Sequence, residues 1–308
     1  MRLQRTLKAE LTIEGIGLHT GVHSIVRLIP APSNSGIVFY REDRNVFIRA
    51  DINAVNDTAF ATTLGSGGTR VKTVEHLLAA LSGLGIDNLV VRVNGPEIPV
   101  MDGSSAVFVD MMLKAGIAKQ ASERPFIRIL KPISLKEGNA EIYALPFEGT
   151  LITYQIQYKH PLLGAQKKSL KLDEKTFVRE LAPARTFGFL KDVELMRANG
   201  LAKGGSLENA IILTDTAVLN ESGLRFQDEF IRHKMLDLIG DLSLIEFPLL
   251  GHIVAVRTGH GTNCKFAKTL LSAPECWEVT LEARPEEAVH AHEREMLKLE
   301  AIPSFLTS

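Results

Sequence analysis

Two short stretches of this 308-residue chain hold residues that could act together chemically. In the first, Val74, Leu77, Leu78 and Leu81 recur at i, i+3, i+4 and i+7, the spacing of one apolar stripe on a helix. Glu75 and His76 lie off that stripe, accompanied mainly by Ala79 and Ala80. A freely solvated face would carry more Lys, Glu or Arg, so this face suits the wall of a cleft. A surface pair with small neighbours is the plain alternative. In the second stretch, from Arg232 to Ile245, most of the circumference is apolar and one narrow stripe carries His233, Lys234, Asp237 and Asp241. His233, Asp237 and Asp241 are spaced i, i+4, i+8 and stack on one face. A mostly buried helix rarely carries acids unless they are paired or bind metal. His and Asp at i and i+4 form a two-point chelate for zinc. A buried His–Asp network, with Lys234 neutralising Asp241, is the competing reading.

A catalytic zinc site needs a third protein ligand and an open position for water. His76, on a helix of the other half of the chain, is the best candidate, and Glu75 beside it is placed to act as a general base. His260 lies between Gly259 and Gly261, in what reads as a loop after a strand. A carboxylate such as Asp241 against it would favour the imidazolium, a proton donor. The residues therefore point to a zinc-dependent hydrolase, although a His₂Asp set also admits iron. A rival stands beside it: a two-domain binding protein whose polar stripe is only a buried network.

These residues need elements to hold them. A helix is expected from Thr73, as N-cap, to the glycines at 83 and 85. Others are expected over about Ser104–Leu113, Gln227–Glu246 and onward from Asn263, with strands at Ile25–Ile29, Gly36–Tyr40, Asn88–Val93, about Phe126–Tyr158 and His252–Val256. The order helix, short strand, Gly loop, helix occurs once in each half. This implies an α+β chain of two similar domains, each a sheet layered with helices. The polar stretch Lys119–Pro125 marks the boundary, giving domains at 1–122 and 126–277, an insert at about 190–213, and a charged tail over 278–308 in which His290 and His292 are inert.

Composition excludes several function classes. Apolar residues make up 45% and charged residues 23%, and the net charge of −1 argues against a nucleic-acid partner. Two cysteines, Cys264 and Cys276, cannot build a disulfide framework, which fits a reducing compartment. No apolar run reaches the roughly 20 residues of a membrane span, and the N-terminus lacks a secretory apolar core. A cytoplasmic, monomeric protein acting on a small molecule is the expectation.

The segments Gly15-Ile16-Gly17-Leu18-His19-Thr20-Gly21, Thr73-Val74-Glu75-His76-Leu77, Gly95-Pro96-Glu97-Ile98-Pro99, Ala184-Arg185-Thr186-Phe187-Gly188-Phe189 and His233-Lys234-Met235-Leu236-Asp237 with Gly240-Asp241 together resemble the UDP-3-O-acyl-N-acetylglucosamine deacetylase family of lipid A biosynthesis, in order from about Gln4 to Trp277. The resemblance implies two similar α+β sandwich domains with the site at their interface, and removal of the N-acetyl group from an acylated UDP-amino sugar, with a zinc amidase acting on another acylated sugar as the rival enzyme reading. It implies zinc on His76, His233 and Asp237, Glu75 as general base, and His260 as general acid with Asp241 as its partner. The Thr186 hydroxyl would hold the oxyanion. It further implies that the insert forms a hydrophobic acyl passage, that Lys234, Arg257, Phe189 and Tyr158 contact nucleotide and sugar, and that His19 lies in a loop near the site.

Overall fold

A computed structural model describes residues 2–281, so the tail histidines lie outside the described residues. The fold is α+β and uses one plan twice. In the first half, strands Leu11–Ile16, His23–Pro30, Leu89–Val93, Ile37–Arg41 and Val46–Arg49 form a sheet in that spatial order. The central Leu89–Val93 runs antiparallel to His23–Pro30 and parallel to Ile37–Arg41. In the second half, Ile133–Glu137, Ala140–Leu145, Leu249–Val256, Thr150–Gln157 and Ala165–Lys171 follow each other across the sheet with the same directions. Helix Glu75–Leu84 precedes the first central strand and Ala106–Ala115 follows it; Glu229–Leu242 and His260–Leu271 bracket the second. Each half also closes its first strand on its last, Leu3–Leu7 on Ile117–Glu123 and Phe126–Ile129 on Trp277–Thr280, both antiparallel.

Each half carries an insertion at the same place, between the last sheet strand and the first helix. In the first half it is a small sheet of Val55–Asp57, Thr63–Ser66 and Thr69–Val71. In the second it is the parallel pair Phe187–Phe189 and Ile211–Leu213 with helix Leu190–Ala198 between them.

Strand periodicity sets which face is covered. Val26 and Leu28, with Leu89, Val91 and Val93, are fully buried and share one core with the apolar residues of helix Glu75–Leu84. That helix packs directly on Glu229–Leu242, in which every residue except Lys234 is buried. The approach is close because position 240 is glycine: a Cβ there would overlap the Glu75 carbonyl. One hydrophobic core runs through both halves.

Several local expectations are corrected. Thr73 is not the N-cap: it stands at φ 56° with its hydroxyl on Glu97 Oε1, and the helix begins two residues later at Glu75. The Gly85 C-cap, at φ 65°, ends that helix as expected. The long helix stops at Leu242 rather than near Glu246, and the strand after it starts earlier, at Leu249. The polar run before Pro125 is largely a strand, Ile117–Glu123, paired to the N-terminal strand. His260 is not a loop residue but the first residue of a helix capped by Gly259. Among the described residues no helix is long and apolar enough to cross a membrane.

Candidate metal centre and active site

The two packed helices bring His76, His233 and Asp237 together, with one ligand atom from each lying within 4.8 Å of the others. The protonation pattern argues for a cation among them. His233 Nδ1 is 3.0 Å from the Ala184 carbonyl, which can only accept, so that nitrogen carries the proton and Nε2 presents a lone pair. This Nε2 faces Asp237 Oδ1 at 3.3 Å, and His76 Nε2 faces the same oxygen at 3.7 Å. Burial and the neighbouring His233 push His76 down to about 3, and burial lowers His233 as well. Neither ring is charged near neutral pH. Burial opposes ionisation of Asp237, but the Lys234 ammonium against it outweighs burial and holds the carboxyl below its ordinary range. Its Oδ1 is buried without a hydrogen-bond donor. Three converging lone pairs with an unsatisfied buried carboxylate oxygen fit a divalent metal with N and O preferences.

The remaining groups flank this cluster. Glu75 is 3% exposed, and burial pushes its carboxyl up to about 7. Its Oε2 accepts the Thr62 N–H at 3.0 Å, leaving Oε1 facing His260 Nε2 at 3.8 Å. His260 Nδ1 donates to Asp241 Oδ2 at 2.9 Å. Burial alone would lower this imidazole, but Asp241 overrides it and raises it to about 9. A carboxylate and an imidazole thus face one another beside the candidate metal ligands, the carboxyl raised toward neutrality and the imidazole raised above it.

Lys234 pairs with Asp237 Oδ2 at 2.6 Å, not with Asp241, so the carboxylate it neutralises is that of Asp237. Asp241, fully buried, instead accepts Thr62 Oγ1 at 2.5 Å and Asn263 Nδ2 at 2.8 Å besides His260. Sequence reasoning missed Thr62 and Asn263. Asn263, three residues after His260, follows from the helix that starts at His260; Thr62 sits in a polar segment with no periodic signal.

Two buried carboxylates brace the surroundings, and neither was singled out from sequence spacing. Glu97 accepts the backbone N–H groups of His19 and Thr20 and the hydroxyls of Thr20 and Thr73, pinning the Gly15–Gly21 loop to the start of the first helix. Glu229 forms a two-pronged pair with Arg185 at 2.9 and 3.1 Å. The Arg185 backbone N–H also reaches Glu229. This fixes Ala184, which orients His233, and Thr186 two residues on.

Thr186 is held by its backbone between Gly103 and Ile211. It lines a cavity of about 290 Å³ with His19, Leu18, Val193, Met196 and Leu207, in the Leu190–Leu213 insertion and the loop facing it. His19 is 4% exposed, and burial lowers its imidazole. The other four expected contact residues, Tyr158, Phe189, Lys234 and Arg257, do not line this cavity. Phe189 packs among Tyr158 and His160, with ring centroids 5.9 and 5.7 Å away, beside the Lys191 ammonium. Arg257, at φ 52°, directs its guanidinium to the Asn139 carbonyl at 2.8 Å and to Gln157.

The chain matches the model of the UDP-3-O-acyl N-acetylglycosamine deacetylase family over residues 4–272. It is 48% identical over 282 residues to the UDP-3-O-acyl-N-acetylglucosamine deacetylase of Thermodesulfovibrio yellowstonii, covering 92% of this chain and 96% of the relative. It is 43% identical over 306 residues to that of Syntrophus aciditrophicus, covering 99% and 97%, so the similarity continues past Trp277, where the motif resemblance stopped. The Myxococcus xanthus enzyme of the same name is 46% identical over 285 residues, covering 92% and 91%. By the family match and the extent of these identities, the chain belongs to the UDP-3-O-acyl-N-acetylglucosamine deacetylase family.

Proposed function

We propose that this protein is a zinc-dependent hydrolase that removes the N-acetyl group of UDP-3-O-acyl-N-acetylglucosamine, releasing acetate, in lipid A biosynthesis. The observation that carries the reading is the convergence of a His₂Asp donor set with a facing carboxylate–imidazole pair in a chain of this family. His76, His233 and Asp237 would hold the zinc, which would supply Lewis-acid polarisation and a water of lowered pKa. Glu75 receives the proton of the attacking water at Oε1, since Oε2 is occupied by the Thr62 N–H. The Thr186 hydroxyl stabilises the developing oxyanion. His260, protonated and held through Nδ1 by Asp241, delivers the Nε2 proton to the leaving amine.

Substrate recognition follows from the surroundings. The apolar cavity beside Thr186 and His19 takes the acyl chain. Tyr158, Phe189, Lys234 and Arg257 meet the sugar nucleotide, with Arg257 contributing charge-assisted donors. Residues 1–122 and 126–277 act as two domains that hold the reaction between them; the matching strand order of the halves supports this. The test is acetate release from UDP-3-O-acyl-N-acetylglucosamine together with metal analysis. Wild type releases acetate and carries about one zinc per chain, and His76→Ala loses both. Absence of metal with chelator-insensitive activity overturns the zinc assignment, and absence of acetate release by wild type overturns the substrate.

A further inference from the structure

We propose that Thr62 is a positioning residue that sets the base and the acid of this site against each other. All three of its polar groups are committed. Its N–H donates to Glu75 Oε2 at 3.0 Å, its carbonyl accepts the Val74 N–H at 3.2 Å, and its hydroxyl donates to Asp241 Oδ1 at 2.5 Å. The residue is fully buried, with the Cys264 thiol beside its hydroxyl. One side chain and its own backbone thereby join the start of the Glu75 helix in one half to the Asp241 helix in the other.

Each bond removes a freedom that the reaction cannot tolerate. Glu75 has two equivalent oxygens, and the Thr62 N–H fixes which one is left to face His260. Asp241 likewise has two, and the hydroxyl takes Oδ1 so that Oδ2 is presented to His260 Nδ1 and Asn263. A donor aimed at a buried carboxylate also draws off part of its charge, which moderates how tightly Asp241 holds the imidazolium proton. The small sheet inserted in the first half therefore has a purpose in the chemistry: Thr62 immediately precedes its strand Thr63–Ser66.

This inference rests on the roles given above to Glu75 and His260, and its test separates the two. Thr62→Val keeps the backbone bonds and the volume and removes only the hydroxyl. The expected result is a fall in kcat of about 10–100-fold with KM changed less than about twofold, the size usual for loss of an orienting partner. Metal content is retained, the alkaline limb of the pH profile moves upward, and Thr62→Ser returns kcat toward wild type. The downfield proton resonance of His260 Nδ1–H, identified by its loss in His260→Gln, shifts in Thr62→Val and returns in Thr62→Ser. In an Asp241→Asn background the Thr62→Val loss disappears, because the oxygen it orients no longer carries the charge. If Thr62→Val is insoluble, Thr62→Ala is read in its place. Wild-type kcat, pH profile and resonance in the folded variant overturn the positioning role. So do losses that add fully to those of Asp241→Asn, which mark a merely structural residue. Failure of wild type to release acetate strikes the proposed function instead.

Discussion

His260 and Glu75 make the sharpest demand at the scale of single residues. In the proposed reaction Glu75 must be ionised to accept a proton, and burial lifts its carboxyl above the ordinary range, so rate is expected to rise with pH through that higher value. His260 must be protonated to donate, and Asp241 lifts it above the ordinary imidazole range, so rate falls only at correspondingly high pH. His260→Gln is expected to lower kcat by about 10²–10⁴ and to abolish the alkaline limb while keeping the acid limb; a retained alkaline limb in its pH–rate profile removes His260 from the acid role. His76, His233, Asp237 and Glu75 stood out in the sequence because acids and imidazoles sat on otherwise apolar helices, whereas His260 was singled out only by its place between two glycines. Thr62 and the Arg185–Glu229 pair were not, because a threonine just before a short strand and an ion pair formed across the fold leave no local pattern.

At the scale of elements, the spacing between two helices decides whether the site exists. Gly240 lies against the Glu75 backbone, one residue before Asp241 and three after Asp237. Gly240→Ala therefore forces the helices apart at the point where ligands and base are hung. Overpacking of this kind destabilises by about 1–3 kcal/mol, and kcat is expected to fall much further than folded yield. A melting curve and a kcat measured on the same preparation check this: a lowered melting temperature with unaltered kcat disproves the coupling. Element boundaries were the part the sequence misjudged, for tertiary reasons. Thr73 has the chemistry of an N-cap, but Glu97 draws its hydroxyl away and leaves the backbone at positive φ. His260 between two glycines reads as loop, yet Gly259 caps a helix that starts on the histidine itself.

At the scale of the molecule, one core and one helix pair serve both halves. The buried faces of Glu75–Leu84 and Glu229–Leu242 cover each other, so separating the halves exposes apolar surface on both. Thermal unfolding is expected as a single cooperative transition, with calorimetric and van't Hoff enthalpies in agreement; two resolved transitions in calorimetry refute it. The repeated order of helix, strand and Gly loop was visible in the sequence, but the shared strand order was not, since register depends on pairings far apart in the chain. The repeat itself is unequal in what it carries. The first half contributes His76, Glu75 and Thr62; the second contributes His233, Asp237 and His260. Each half is like one blade of a pair of scissors, complete as a shape and inert as a tool. Were the two made as separate chains, neither would cut, and the activity regained on mixing them would count the pairs that had closed.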